Sequence, residues 1–593
     1  MKPNTHLKRE RERRGWSQAK VADEIGTTEK NVSRWERGVS FPYPYYREKL
    51  CTLFGKSAGE LGFVKDDEPE VAISGNAEQR EQHFPLPLYD PSIPPVPNEG
   101  KGLVGRAALL DAFAEQLCTH TCLALSGLPG VGKTALAILL TQHPFVQQTF
   151  SDGVLWAGLG LRPNVLEQLN RWGMLLGLPV LEATTENNLE VRALALRAAI
   201  GTRRFLLVVD DAWELEAALP FKVGGPNCAL LVTTRFPRIA LTLTRDGAHT
   251  VPELNQEEGL LLLSQFASSV VAHDKHAAQT LVQEVGGLPL ALTLLGKYLD
   301  MQAHSGQPRR LQAALTRLRN TTQRLLISEP QAPLERSTSL ATGTPLSLQS
   351  IIAASDIQLD EQARAVLRAL SVFPAKPNSF SEEAALMVAQ TSAETLDVLY
   401  DAGLLESSGP ERYTLHQTIA DYANTHLFET LPGERLATYC TLFVESHATD
   451  DETLEQECRN LLAGLKYAFE NGQHALLIRG VNAFAPFLLA RGLHDIALPH
   501  LQRAYQVAIW SGDTRSLTLL LLHLGRVMYL QGSYNQAEVY LRESLSLAYE
   551  SEYQELHTQL LHLLHMVALQ QGNPTQAEVY VQEAQIPHEY KNG

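Results

Sequence analysis

The spacing of apolar residues changes along the chain, and each change predicts a different kind of element. At the N-terminus, stretches 7–14, 18–25 and 28–37 carry apolar residues at helical spacing. In the second stretch Val21, Ala22 and Ile25 share an inward face behind the N-cap Ser17. In the third, Val32 and Trp35 face inward at i, i+3, with Thr28 as cap and Gly26 as the tight turn before it. Periodicity then stops. Residues 64–100 are polar, with prolines at 85, 87, 91, 94, 95 and 97, and predict an extended linker. Short continuous apolar runs follow at 121–126, 152–156, 204–211 and 228–235, with a helix-like run at 135–141. Runs apolar on both faces, alternating with helices, predict parallel strands in a doubly wound α/β domain. Amphipathic helices are expected at 361–372 and 393–399. A hairpin is expected from 404–406 and 412–415 around a Ser-Gly-Pro turn, with a helix running on to Tyr422.

Past residue 430 the pattern repeats. Gly492, Gly532 and Gly572 recur every 40 residues, as do Ala497, Ala537 and Ala577, and Leu501, Leu541 and Val581. Each unit reads as a helix, a glycine turn and a second helix whose Ala marks tight packing. That is a helical solenoid, with helices from about 430 to 490 continuing the stack.

Composition narrows the class. The 593 residues, 44% hydrophobic and 20% charged, suit a soluble protein of several domains. No run approaches the ~20 apolar residues of a membrane span, and the N-terminus lacks the apolar core of a secretory signal. Six scattered cysteines fit a reduced, cytoplasmic protein; Cys118 and Cys122, despite their metal-like spacing, read as half-buried thiols beside a strand. Net charge is −16, unevenly spread. Residues 1–63 hold 13 Lys/Arg against 8 Asp/Glu, so +5, which leaves −21 on the rest. A basic head on an acidic body suggests that the head meets an anionic polymer.

The candidate chemistry centres on Gly127-Leu-Pro-Gly-Val-Gly-Lys133-Thr134, which reads G-x-x-x-x-G-K-T between a strand and a helix. Glycines let backbone N–H groups turn onto phosphate oxygens at the positive end of the helix dipole. Gly127, Gly130, Gly132, Lys133, Thr134 and Ala135 are the candidate ATP/ADP contacts, with Lys133 on the β/γ-phosphates and Thr134 on Mg²⁺. The strand ending in Asp210-Asp211 supplies carboxylates at the same sheet edge. Asp210 is the candidate metal residue, and Asp211 is placed to orient or deprotonate an attacking water. Arg235, at the end of the next strand, is the candidate γ-phosphate cation. Catalytic roles, if hydrolysis occurs, fall to Lys133, Asp211 and Arg235.

On the head, Glu29, Lys30, Asn31, Ser33, Arg34 and Arg37 face outward from the third helix. Glu29, Lys30, Asn31 and Arg34 suit base edges; Gln18, Thr28 and Arg37 suit phosphates of double-stranded DNA. Residues Trp16–Gly26 together with Val32-Ser-Arg-Trp-Glu-Arg-Gly38 resemble the Cro/C1-type helix-turn-helix. One such head meets one half-site, so useful affinity asks for several heads together.

Further on, Val104-Gly-Arg106, Gly127–Leu136, the Asp210-Asp211 strand, Leu230–Arg235 and Gly287-Leu-Pro-Leu-Ala-Leu292 follow in an order that resembles the NB-ARC module of STAND-type signalling ATPases. The resemblance implies that Val104 and Arg106 border adenine and phosphates and that Pro289 packs on the nucleotide. It also implies a winged-helix subdomain whose His416 touches the ADP β-phosphate. The family's Met-His-Asp motif is Leu415-His416-Gln417 here, so its carboxylate is missing. Around Leu524-Gly525, Ala537 and Leu541 the C-terminal units are similar to tetratricopeptide repeats, with a longer period.

The expected chain is therefore multidomain. It comprises a helix-turn-helix head (1–63), a linker (64–100), a P-loop NTPase domain (101–255), a helical subdomain and connector (256–345), a winged-helix subdomain (346–425) and a repeat solenoid (430–593). The function this implies is an ATP/ADP-switched, slowly hydrolysing regulator of transcription. It would form nucleotide-dependent homo-oligomers and take an unknown signal on its repeats, away from any membrane. The alternative is an oligomerising defence or cell-death scaffold whose head recruits protein.

Overall fold

The computed structural model describes residues 4–40, 42, 44–56, 58–63, 87–96, 103–179, 188–244, 246–304, 307–333, 335–550 and 554–585. The chain divides into two compact units, Met1–Phe84 and Pro85–Gly593.

The first unit packs four helices, α1 (Thr5–Arg13), α2 (Gln18–Ile25), α3 (Glu29–Glu36) and α4 (Pro44–Phe54). Leu7, Val21, Ile25, Val32, Trp35, Leu50 and Phe54 close its core. Ser17 caps α2 by accepting from Lys20 N at 3.1 Å, and Gly26 ends it in the left-handed region at φ 74. Thr28 occupies the N-cap position of α3 but its side chain makes no capping bond. The expected Thr28 cap is corrected to a positional one. The tie at this turn runs instead from Asn31 Nδ2 to Thr27 Oγ1 at 3.0 Å.

The second unit is built on a parallel sheet of six strands in the order β1-β3-β4-β5-β2-β6. These are β1 (Leu88–Tyr89), β2 (Cys122–Ser126), β3 (Gly153–Gly158), β4 (Phe205–Ala212), β5 (Ala229–Thr234) and β6 (Ala248–Thr250). Helix α5 (Ala107–Thr119) leads into β2, and α6 (Lys133–Gln142) leaves the glycine loop behind it. Both faces are covered, so β4 and β5 are buried along their whole length.

One expectation changes here. Of the stretch read as linker, residues 64–86 and 97–100 lie outside the described residues, but within 87–96 a strand of two residues joins the sheet. Leu88 and Tyr89 pair with Gly153 and Val154. The buried Asp90 accepts from Trp156 N at 3.0 Å and Ser92 N at 2.9 Å. Proline density hid a strand of only two residues, too short to show alternation.

Helices Gln256–His273, Lys275–Glu284 and Pro289–Ala303 follow, the first closed by a reciprocal Asn255/Glu258 capping box. A small antiparallel sheet comes next, with Arg412–Thr414 between Glu406–Ser407 and Phe380–Ser381. Its Phe380–Ser381 strand contacts helix Glu382–Ala389, and that helix and Ala393–Asp401 both pack on Glu361–Leu370. The C-terminal region is a row of helical hairpins: Leu431–Ser446 with Asp451–Glu470, His474–Ala490 with His494–Ser511, Thr514–Leu530 with Tyr534–Glu550, and Gln554–Gln570 with Pro574–Gln585. Gly492, Gly532 and Gly572 turn the last three hairpins with φ of 72, 76 and 75. Ala497, Ala537 and Ala577 are buried where the paired helices touch. Val581, in register with the buried Leu501 and Leu541, is 38% exposed.

Candidate functional site

The ends of β2, β4 and β5 meet at one sheet edge because the strands are parallel and adjacent, with Val209 beside Val232 and Leu125 beside Thr233. The glycine loop crosses this edge. Gly127, Gly130 and Gly132 take φ of 138, 83 and 100, which side-chain-bearing residues rarely adopt. Helix α6 then starts at Lys133, so its free N–H groups open onto the loop.

Thr134 Oγ1 donates to Asp210 Oδ1 at 2.8 Å, and Thr233 Oγ1 donates to the same oxygen at 2.6 Å. The structure thus joins the two residues expected to share a metal and adds Thr233. Motif reasoning misses that residue, although its place beside Asp210 follows from the parallel register of two strand ends. Burial pushes the Asp210 carboxyl up to about 6, reinforced by Asp211 and opposed by the two hydroxyls and Lys133. Lys133 Nζ curls back to Gly127 O at 2.8 Å and Leu128 O at 2.9 Å. Burial draws it down to about 7, helped by the positive charge of Arg235 and opposed by Asp211 and Asp210. Lys133 and Asp210 feel one another's charge, but among the described residues neither makes a direct ion pair, and burial outweighs the attraction. A phosphate chain with a divalent ion supplies each with a direct partner, so the donor set fits a metal–nucleotide.

Asp211 and Arg235 are brought together, but neither faces open space. A bulge between Val209 and Ala212 turns Asp211 to φ 57. Its Oδ2 accepts from Thr338 Oγ1 at 2.9 Å and from Ser339 Oγ, and its Oδ1 lies 3.7 Å from Arg235 Nε. Arg235 donates to Ser339 Oγ at 2.7 Å, Ser355 Oγ at 2.9 Å and Ile351 O at 3.0 Å. Its guanidinium lies 4.5 Å from the centroid of the Trp213 ring. Thr338 and Ser339 carry no sequence signal, since nothing local distinguishes them from other loop hydroxyls.

Arg106 and the start of the Pro289 helix reach the loop, while His416 lies against Gly286. Arg106 donates to Pro252 O at 2.5 Å and more weakly to Val131 O at 3.4 Å, with Val104 half-buried beside it. Pro289 opens its helix at the first position, and Leu290 N donates to Gly130 O at 3.1 Å. His416 is buried; its Nδ1 accepts from Thr418 N at 3.2 Å, so Nε2 carries the proton donated to Gly286 O at 3.1 Å. Burial lowers the imidazole pKa, which keeps the ring neutral near pH 7. Gln417 donates to Asp421 Oδ1 at 2.9 Å. Asp421 in turn pairs with Arg324 at 2.8 Å, and Arg324 with Glu284 at 2.8 Å.

On the head, Thr28, Glu29, Lys30, Arg34 and Arg37 are exposed, while Asn31 and Ser33 are half-buried. Gln18 is half-buried and spends one amide N–H on Glu36 at 2.7 Å. Glu36 is the buried carboxylate that also takes Arg11, at 2.6 and 3.0 Å.

Among known proteins, residues 107–272 match the NB-ARC domain and residues 7–61 a helix-turn-helix domain. The regulatory protein AfsR of Streptomyces coelicolor is 28% identical over 361 residues, 58% of this chain and 34% of the relative. Apoptotic protease-activating factor 1 of Danio rerio is 25% identical over 299 residues, 48% of this chain and 23% of the relative. The chain thus spans about a third or less of these relatives. A STAND protein with a tetratricopeptide repeat sensor from Pyrococcus horikoshii is 14% identical over 83% of this chain and 84% of its own, with a TM-score of 0.26. The chain therefore carries a helix-turn-helix head and an NB-ARC P-loop NTPase domain, followed by a helical C-terminal region. Among the described residues no helix is long and apolar enough to cross a membrane.

Proposed function

We propose that this chain is a nucleotide-switched regulator that binds DNA through its head. One observation supports this above the others. The loop meant for phosphates is touched from the helix at Pro289 and, through Gly286, lies within reach of the region carrying His416. A diphosphate bound there would be sensed by parts of the chain far apart in sequence.

In this reading Lys133 and the loop N–H groups hold the phosphates, and Thr134 and Asp210 hold Mg²⁺, whose charge offsets that of the phosphate chain. Val104 and Arg106 border the adenine and phosphates, and Pro289 packs on the nucleotide. His416 donates to the β-phosphate from a winged-helix subdomain at 346–425 and keeps the ADP state closed. The repeats at 430–593 are a tetratricopeptide-like sensor. A signal there loosens the closed state, admits ATP and lets chains assemble, so that clustered heads bind DNA with avidity. Moving such a switch from 1:99 to 99:1 asks for about 5.5 kcal/mol. Hydrolysis is slow, on the order of 10⁻³ to 10⁻² s⁻¹, as in unassisted phosphate-loop switches. Glu29, Lys30, Asn31 and Arg34 read bases, while Gln18, Thr28 and Arg37 position the backbone, with Ser33 on the same DNA-facing surface.

The test is nucleotide extraction from the purified chain, with its size measured before and after exchange into ATP, and duplex binding followed over a salt titration. ADP in the extract, ATP-driven growth in size and salt-sensitive duplex binding are expected. Protein that carries no adenine nucleotide and takes none up would refute the switch. Assembly without duplex binding at any salt would make the head a protein adaptor.

A further inference from the structure

The acid and the cation at the phosphate edge are held by the segment 335–347 and the helix it runs into, and Ser339 of that segment bonds both. Ser339 is buried there, with its Oγ between the two charges: it donates to Asp211 Oδ2 and accepts from Arg235 Nη2 at 2.7 Å. Thr338 Oγ1 donates to the same carboxylate oxygen at 2.9 Å. The segment runs into helix Leu348–Asp356, where Ile351 O and Ser355 Oγ take Arg235 Nη1. It lies hard against the end of β3. A Cβ on Gly158 would come 2.8 Å from Thr338 Cγ2, and one on Gly160 2.1 Å from Thr338 O.

We propose that Thr338 and Ser339 are positioning residues that set the preference of the site for diphosphate over triphosphate. This inference rests on nucleotide binding at the phosphate loop. A guanidinium serves only a few acceptors at once in its fixed plane, and Arg235 already serves three oxygens outside the loop. To reach a third phosphate it must give up Ser339, Ser355 and Ile351 O. Asp211 then loses its link through Ser339, because the hydroxyl that joined the two charges now bonds only one. A diphosphate does not reach that edge and demands none of this exchange. The cost falls on the triphosphate alone, and the same exchange loosens the segment leading to the region of His416.

The experiment measures ADP and a non-hydrolysable ATP analogue on the full chain by calorimetry. In Ser339→Ala, affinity for the triphosphate analogue relative to ADP should rise about tenfold, the worth of one hydrogen bond to a charged group, with ADP affinity unchanged. Wild-type protein that binds neither nucleotide removes the underlying reading. Wild-type binding with an unaltered ratio in Ser339→Ala overturns this inference alone. Gly158→Cys with Thr338→Cys gives a second measurement that does not depend on losing the buried hydroxyl. Oxidation should tether the segment and weaken the triphosphate analogue at least tenfold while sparing ADP, and reduction should restore it. Equal affinities in the oxidised and reduced forms overturn the inference as well.

Discussion

The head and the nucleotide domain each bury one arginine with one carboxylate, and they use the same chemistry to opposite ends. In the head, Arg11 meets both oxygens of Glu36, at 2.6 and 3.0 Å, and its remaining nitrogen donates to Trp16 O at 2.8 Å. These partners all lie within the head, in α1–α3 and the α1–α2 turn, so the pair is satisfied by its own fold. In the nucleotide domain, Arg235 stands 3.7 Å from Asp211 and gives its shorter bonds to residues 104 to 120 positions away in sequence. The first pair is a clamp. The second is shared between regions, and a shared buried charge can change partners when a ligand brings a better one.

The largest effect that would break this comparison is at the clamp. Glu36→Ala leaves the buried Arg11 with only the exposed Glu12 carboxylate, 3.6 Å away, and should destabilise the head by about 3 kcal/mol. Hydrogen exchange on the full chain should show α1–α3 losing protection while nucleotide affinity stays the same. A head that keeps its protection would mean that the pair is not what holds it.

A buried titratable group with no carboxylate partner among the described residues tests the other limit. His523 is 5% exposed, and burial, aided by the charge of Arg526, pushes its imidazole down to about 4. The folded pKa lies below the unfolded 6.5, so protonation favours the unfolded chain. The stability is whole above pH 6.5 and is lost as pH falls towards 4, by about 3 kcal/mol in all. Thermal unfolding of the repeat region between pH 7 and 4 checks this; His523→Gln should flatten the slope, and an unchanged slope would exonerate the residue.

Arg235→Ala should cost less than loss of the head's clamp, about 1–3 kcal/mol, because Thr338 and Ser339 still serve Asp211. Differential scanning calorimetry of the full chain decides this; a cost above that of Glu36→Ala would reverse the assignment of clamp and switch. The smallest effect expected is at Gln417. Its amide donates to Asp421 one turn on, at 2.9 Å. Gln417→Asp puts two carboxylates at i, i+4 and should lower stability by about 0.2–0.5 kcal/mol, read by urea titration. A gain in stability would mean that Arg324 accepts both acids.

Much of the fold is legible in the order of residues alone. Val21, Ile25, Val32 and Trp35 face the head's core as their spacing requires, and the hairpin at 406–414 and the glycine turns of the repeats fall where composition places them. Strands of five or more apolar residues stand out in the chain; the two-residue β1 among prolines does not. Thr134 can be paired with Asp210 because a motif and a strand end each point to one sheet edge. Arg11 cannot be paired with Glu36 in the same way, since both read as surface charges until the fold closes over them.

What the sequence determined by itself is whatever depends on neighbours along the chain: helix faces, strand runs, caps, and the glycine loop whose backbone conformation only those residues permit. What the tertiary structure alone decided is which distant groups share a buried charge. Ser339 beside Arg235, His416 against Gly286 and Glu36 around Arg11 are contacts across long sequence separations. A hydroxyl or carboxylate looks the same in sequence whether water or an arginine will satisfy it. Only burial removes the water and makes the choice of partner matter.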